Sequence, residues 1–251
     1  MHSLDIFSIS WVLALCAVFF AAFIRGIAGF GFALILAPIL LLILNPTSVV
    51  VVNLFLGLLS NILVLSYSLK KVNLKKILPM VMSSSLGIPL GAWIITLTAP
   101  STLKILIGGV TVSFAVLLAL GFSKAFTREK LACSVAGFLS GIFYSSTSLG
   151  GPPVVLFMHN QNWQREMIHT SLAAYFLFAC SWSLVVLSVS GLVDTKIIAS
   201  AASLVPALLA GVGLGMVVFR RINTRYFRWL SIAIVICSGI LGILSGLGAF
   251  P

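Results

Sequence analysis

Apolar residues fill ten stretches of the chain, and short polar or charged connections separate one stretch from the next. The stretches cover residues 6–24, 30–44, 48–69, 77–98, 103–122, 131–144, 152–159, 168–192, 197–219 and 227–248. A helix needs about 20 apolar residues to cross the hydrocarbon layer of a membrane, and several stretches reach this length. The pattern therefore predicts an all-α polytopic membrane protein.

The composition excludes a soluble globular domain. Of the 251 residues, 61% are hydrophobic and 8% are charged, whereas about 25% of the residues in soluble domains are charged. The net charge of +11 does not indicate a nucleic-acid partner, because the basic residues lie in short clusters between apolar stretches. Such clusters are typical of loops that stay in the cytoplasm. The expected partners are the lipid bilayer and a small solute.

Three basic clusters predict the orientation of the chain in the membrane. They contain Lys70, Lys71, Lys75 and Lys76, then Lys124, Arg128 and Lys130, and finally Arg220, Arg221, Arg225 and Arg228. If the ten stretches alternate across the membrane, all three clusters lie on one side, which the positive-inside rule assigns to the cytoplasm. We therefore expect a protein of the cell membrane whose N- and C-termini both lie outside.

Two segments of the chain recur later in the sequence. "GIPLGAWII" from Gly87 resembles "GVGLGMVVF" from Gly211, 124 residues later. "AFIRGIAGFGF" from Ala22 resembles "GFLSGIFYSSTSLGGPP" from Gly137 if the second copy carries a small insertion. The recurrence divides the chain into residues 1–123 and 124–251, which together form one transmembrane domain. Because each half contains five stretches, we predict that the second half is inverted relative to the first. Inverted repeats are typical of secondary transporters.

Three stretches, at residues 30–44, 131–144 and 152–159, are too short to cross the membrane alone. We interpret the first two stretches of each half as a broken or re-entrant helical hairpin, which three transmembrane helices follow. Irregular backbone at membrane depth is tolerated only where protein buries it or water reaches it. Each break in a hairpin therefore predicts a polar site inside the protein.

The two breaks have the composition of an anion site. The first reads "GIAGFGF" over residues 26–32, and the second reads "TSLGGPP" over residues 147–153. A helix that begins at a break presents free amides and the positive end of its dipole, and glycines let a ligand approach the backbone. The candidate substrate-binding residues in the breaks are Gly29, Phe30, Gly31, Thr147, Ser148, Gly150 and Gly151.

Three further polar residues are candidates for the same site. Arg25 supplies a fixed positive charge if the hairpin places it at mid-depth, whereas a fully spanning first stretch makes it one more cytoplasmic basic residue. Asn53 and Ser171 lie near the start of the third stretch of each half. There they either contact the ligand or form hydrogen bonds between helices.

The paired breaks resemble the two glycine-rich signatures of the TauE/SafE family of sulfite and organosulfonate exporters. The resemblance rests on "GIAGFGFALILAP", "GFLSGIFYSSTSLGGPPVVLFM", "SLGIPLGAW" and "LLAGVGLGM", and it covers essentially the whole chain. It implies a membrane permease for a small sulfur-containing anion, either sulfite or an organosulfonate. The first signature reads "GFGF" at residues 29–32, where the family often has a denser glycine run, so the identity of the anion stays open.

We expect secondary transport of this anion, and export is favoured because an inside-negative potential drives anions outward. An anion channel, or a permease for an unrelated small solute, stays open as an alternative. We expect neither an enzyme nor a cofactor or metal site. The apolar stretches contain no evident nucleophile–base pair and no cluster of metal ligands.

Overall fold

The computed structural model describes residues 8–66, 74–120, 128–161 and 165–219, with single positions between 236 and 247, and it is helical wherever these residues form regular structure. The helices are α1 (Ile9–Ala28), α2 (Phe32–Leu40), α3 (Pro46–Ser66), α4 (Leu74–Leu97), α5 (Pro100–Leu120), α6 (Glu129–Thr147), α7 (Gly151–Asn160), α8 (Arg165–Val189), α9 (Thr195–Ser203) and α10 (Val205–Phe219). The all-α class is thereby confirmed. The tenth predicted stretch, 227–248, lies largely outside the described residues.

Five of these helices, α1, α3, α4, α5 and α8, are long and apolar enough to cross a membrane. Helices α9 and α10 meet at a bend of 47° and together form a sixth candidate span. Pro206 lies in the first turn of α10, where a proline is tolerated because that amide has no partner within the helix. Large apolar side chains such as Leu86, Trp93 and Val189 are exposed on the long helices. An apolar surface of this kind is suited to contact with lipid.

Helix α6 is longer than the apolar stretch that predicts it. The stretch ends at residue 144, whereas the helix continues through Ser145, Ser146 and Thr147. Each of these hydroxyls donates a hydrogen bond to a carbonyl one turn earlier in the same helix. The polar groups are thus satisfied without breaking the helix. With 19 residues, α6 is about 28 Å long, but it is not among the described helices that are long and apolar enough to cross a membrane.

Helices α1 and α10 pack closely because glycines face carbonyl groups across their interface. Gly211 of α10 lies against the carbonyl of Phe19, and Gly215 lies against the carbonyl of Phe23. A Cβ added at Gly215 would lie 2.9 Å from the Cα of Gly26 as well, which real side chains do not tolerate. Because the partners advance together along both helices, α1 and α10 run parallel. Small residues allow this approach of two backbones in a membrane.

The same contacts recur between α4 and α6, which also run parallel. Gly87 lies against the carbonyl of Phe138, as Gly211 lies against the carbonyl of Phe19. Gly91 lies against the carbonyl of Ile142, as Gly215 lies against the carbonyl of Phe23. In both cases the two glycines lie 124 residues apart, as the sequence repeat predicts, and their carbonyl partners lie 119 residues apart. These two interfaces are the most extensive contacts between the described helices. Helices α1 and α6 therefore each pack mainly on a helix from the other half of the chain.

The two breaks begin with the same local geometry. Gly29 follows the last residue of α1 with φ 79°, and Ser148 follows the last residue of α6 with φ 61°, so both residues are in the left-handed conformation. These residues are again 119 positions apart, as are the first residues of α2 and α7. Glycine adopts a positive φ freely, whereas a serine in this conformation costs about 1–2 kcal/mol.

The glycine contacts give a prediction about stability. Gly215→Ala places a methyl group against the Phe23 carbonyl and forces α1 and α10 apart, so we expect the free energy of unfolding to fall by about 1–3 kcal/mol. Gly213→Ala in the same helix meets no atom within 4 Å and serves as the control. Thermal unfolding of both variants in detergent tests the prediction. Equal melting temperatures would show that the close contact at Gly215 is unimportant.

Candidate functional site

Both breaks line one small cavity with a volume of about 30 Å³. The first break contributes Phe30, Gly31 and Phe32 to its wall, and the second contributes Ser148, Leu149, Gly151 and Pro152. The remaining wall residues are Arg25, Ala33, Leu34, Asn53, Leu54, Gly57, Tyr144 and Phe176. The structure thus brings together six of the ten candidate residues, which are Arg25, Phe30, Gly31, Asn53, Ser148 and Gly151.

Two helices begin at this cavity, and no side chain caps either of them. Gly31 precedes α2 and Gly150 precedes α7, and neither helix start donates an amide hydrogen bond to a capping side chain. The first amides of a helix have no partner within it and attract anions. The two starts are unequal, because Pro152 and Pro153 remove two amides from the first turn of α7. Most of the amide donors therefore belong to α2.

Among the residues that the structure describes, Arg25 is the only cation in the wall of the cavity, and it is 4% exposed. Its Nη2 donates to Oδ1 of Asn61, and its guanidinium carbon lies 5.9 Å from the centre of the Phe176 ring. Its Nε is buried and has no hydrogen-bond partner. Arg25 is therefore a buried cation with neutral neighbours, rather than a solvated residue at the surface.

A chain of hydrogen bonds continues from Arg25 through Asn61. Nδ2 of Asn61 donates to Sγ of Cys180 over 3.7 Å, and that thiol donates to the hydroxyl of Tyr144 over 3.6 Å. Arg25 and Tyr144 lie 119 residues apart, and so do Asn61 and Cys180. The separation of 119 residues is the same as that between the equivalent contacts of α1 and α6, and each pair has one member in each half of the chain.

Asn53 connects α3 to the second break. Its Nδ2 donates to the hydroxyl of Ser148 over 3.1 Å, and that hydroxyl donates to the carbonyl of Thr147 over 2.6 Å. The Oδ1 of Asn53 is buried and has no hydrogen-bond partner. The bond holds Ser148 in its left-handed conformation beside the cavity.

The other four candidates, Gly29, Thr147, Gly150 and Ser171, are not part of the cavity wall. A Cβ at Gly29 would collide with the ring of His169, and a Cβ at Gly150 would collide with the ring of Tyr144. The Thr147 hydroxyl bonds within its own helix. The Ser171 hydroxyl is fully buried and has no hydrogen-bond partner. The two glycines serve the packing around the breaks.

Several residues of the site were missed by sequence reasoning, above all Gly57, Asn61, Tyr144 and Phe176. A signal for two of them was present, because Asn53, Gly57 and Asn61 follow each other at intervals of four residues. Residues with this spacing share one face of a helix. Small and polar residues on one face of an otherwise apolar helix indicate a polar interface. Among the described residues, no three His, Cys, Asp or Glu side chains are placed to hold a metal ion.

The family comparison agrees with the glycine-rich breaks. A sequence model for the family described as "Sulfite exporter TauE/SafE" matches residues 14–242, which is most of the chain. This match confirms the resemblance predicted from the two breaks. The comparisons with curated proteins and with solved structures returned no match.

The contact between Arg25 and Asn61 gives a prediction about stability. Asn61→Leu leaves the buried guanidinium without its acceptor, so we expect the free energy of unfolding to fall by about 2–3 kcal/mol. The double variant Arg25→Met, Asn61→Leu removes the charge as well and is expected to recover most of this loss. Thermal unfolding in detergent measures both effects.

Ser60, the residue before Asn61, supplies the control for this experiment. The Ser60 hydroxyl is buried without a hydrogen-bond partner, so Ser60→Ala is expected to leave the melting temperature unchanged or to raise it. A double variant that is no more stable than Asn61→Leu would contradict the role of the unpaired charge.

Proposed function

The chain belongs to the TauE/SafE family of sulfite exporters, and we propose that it is a secondary transporter whose substrate site is the cavity between the two breaks. Membership in the family implies a membrane transporter of sulfur-containing anions. The substrate in this proposal is sulfite or an organosulfonate, and export is the favoured direction because the membrane potential drives anions outward. The observation that carries the proposal is the buried Arg25 in the wall of the cavity.

The charge of Arg25 makes an anion the expected ligand. Burial of a cation costs free energy unless a partner of opposite charge offsets it. The direct contacts of Arg25 are an amide oxygen and an aromatic ring, which carry no net charge. An oxyanion in the cavity would supply the missing charge, and guanidinium groups bind oxyanions through paired hydrogen bonds. The uncapped start of α2 adds further donors on the same wall.

The size of the cavity favours a small anion. A volume of about 30 Å³ corresponds to about two water molecules. An ion with four heavy atoms, such as sulfite, matches this space more closely than a sulfonate with a long or aromatic substituent. Binding of a larger sulfonate would require the wall to move. We therefore place sulfite before the organosulfonates as the substrate.

The proposal includes two inverted repeats, 1–123 and 124–251. Its support is the constant shift of 119 residues between equivalent contacts of α1 and α6, together with the shift of 124 residues between α4 and α10. Because α1 packs on α10 and α6 packs on α4, the two halves interlock into one domain. The cavity lies between the halves, which is where transporters with inverted repeats bind their substrates. Alternating movement of the halves would then expose the site to each side in turn.

The first experiment is sulfite flux in proteoliposomes that contain the purified protein. We expect saturable flux for the wild type and at least a tenfold higher half-saturating concentration for Arg25→Gln, because the cation is lost. Arg25→Lys retains a charge without the planar donor pair and is expected to fall between the two. Unchanged flux in Arg25→Gln, with an unchanged melting temperature, would overturn the assignment of the site. Large single-channel currents would indicate a channel instead.

The adjacent residues Gly150 and Gly151 allow an effect on substrate binding to be distinguished from an effect on packing. Gly151 lines the cavity, and an added Cβ would meet only the Phe176 ring at an ordinary distance of 3.5 Å. We therefore expect Gly151→Ala to weaken sulfite binding by about tenfold, or about 1.4 kcal/mol, at an unchanged melting temperature. Gly150→Ala collides with Tyr144 and is expected to lower the melting temperature. If both variants changed sulfite binding and the melting temperature equally, the assignment of Gly151 to the site and of Gly150 to packing would be contradicted.

A further inference from the structure

A second and larger concavity lies between α5, α6 and α7 and shares no residue with the substrate cavity. It has a volume of about 520 Å³ and a largely apolar wall, which includes Phe114 of α5, Leu131, Val135 and Leu139 of α6, and Leu156 of α7. We call it the α6 groove. Its single charged wall residue among those described is Arg128, at the start of α6.

The α6 groove opens at a surface that is apolar. Leu131, Val135 and Leu139 lie at intervals of four residues along one face of α6 and are 57%, 51% and 42% exposed. Water disfavours such a surface, whereas hydrocarbon chains of the bilayer cover it without cost. The shape of the groove and the polarity of its wall therefore fit an acyl chain.

The positive charge at the end of the groove favours a lipid with a negatively charged headgroup. Arg128 is exposed beside the apolar wall, and Lys130 is exposed two residues later. Lys124 precedes them in the sequence, so this connection carries three cations against the single carboxylate of Glu129. A phosphate at the end of an acyl chain would meet a guanidinium, which binds phosphate through paired hydrogen bonds. Basic residues at the membrane surface favour lipids with a net negative charge.

We propose that the α6 groove binds an anionic phospholipid, with an acyl chain along Leu131, Val135 and Leu139 and the phosphate against Arg128. The groove also borders the substrate site, because Leu156 belongs to α7 and the start of α7 lines the substrate cavity. A lipid in the groove contacts α7 next to the residues that line the substrate cavity. Bound lipid is therefore expected to stabilise the folded protein.

The test measures lipid binding to the purified full-length protein by native mass spectrometry. The probes are phosphatidylglycerol and phosphatidylcholine with identical acyl chains, so only the headgroup charge differs. We expect phosphatidylglycerol to bind at least fivefold more tightly and to raise the melting temperature. Arg128→Gln should abolish this preference, whereas Lys130→Gln, which removes an equal charge outside the groove wall, should retain it.

A third variant tests whether the acyl chain occupies the groove. Ala132 is part of the wall, and Ala132→Phe fills the space while Arg128 remains. We expect this variant to bind both lipids more weakly at an unchanged melting temperature in lipid-free detergent. Equal affinity of the wild type for both lipids would overturn the proposal, as would an equal loss of preference in Arg128→Gln and Lys130→Gln. Undiminished binding to Ala132→Phe would place the acyl chain elsewhere.

Discussion

The burial of one positive charge among uncharged neighbours is the interaction on which the arrangement of the site depends. Arg25 is stabilised by the amide of Asn61 and the ring of Phe176, and both partners come from helices that follow the breaks. An amide and a ring offset only part of the solvation that a guanidinium loses on burial. The site therefore retains a positive potential, and the uncapped start of α2 adds to it. In the proposed transporter, a ligand that carries negative charge would complete the set of partners.

Close packing at glycines makes this burial possible. The carbonyls of α1 and α6 face glycines of α10 and α4, so the long helices approach each other without side chains between them. The breaks at Gly29 and Ser148 then lie inside the protein, where Asn53, Tyr144 and the surrounding helices cover the irregular backbone. In a membrane such backbone is tolerated only where protein or water satisfies its polar groups. The polar site therefore depends on the close packing at the glycine interfaces.

The order of the helices and the position of both breaks follow from the sequence, because apolar stretches and glycine–proline clusters are local signals. The end of α6 does not, because Ser145, Ser146 and Thr147 look polar in sequence but bond to their own helix. Sequence similarity aligns Ala22 with Gly137 if the second copy carries a small insertion. The glycine contacts relate Phe23 to Ile142, which differs from that alignment by about one helical turn. Tyr144 and Phe176 join the site only through tertiary packing, which no local pattern encodes.

The two prolines at the start of α7 make the two related halves chemically unequal. If the halves exchange roles as the site opens to either side, the anion meets many backbone donors from α2 and few from α7. A passive carrier cannot use this inequality to shift the final distribution of its substrate, which the electrochemical gradient alone determines. In such a carrier the inequality would act on kinetics instead, because the rates of anion uptake and release would differ between the two faces. Pro152 and Pro153 would then make transport through the proposed site kinetically asymmetric.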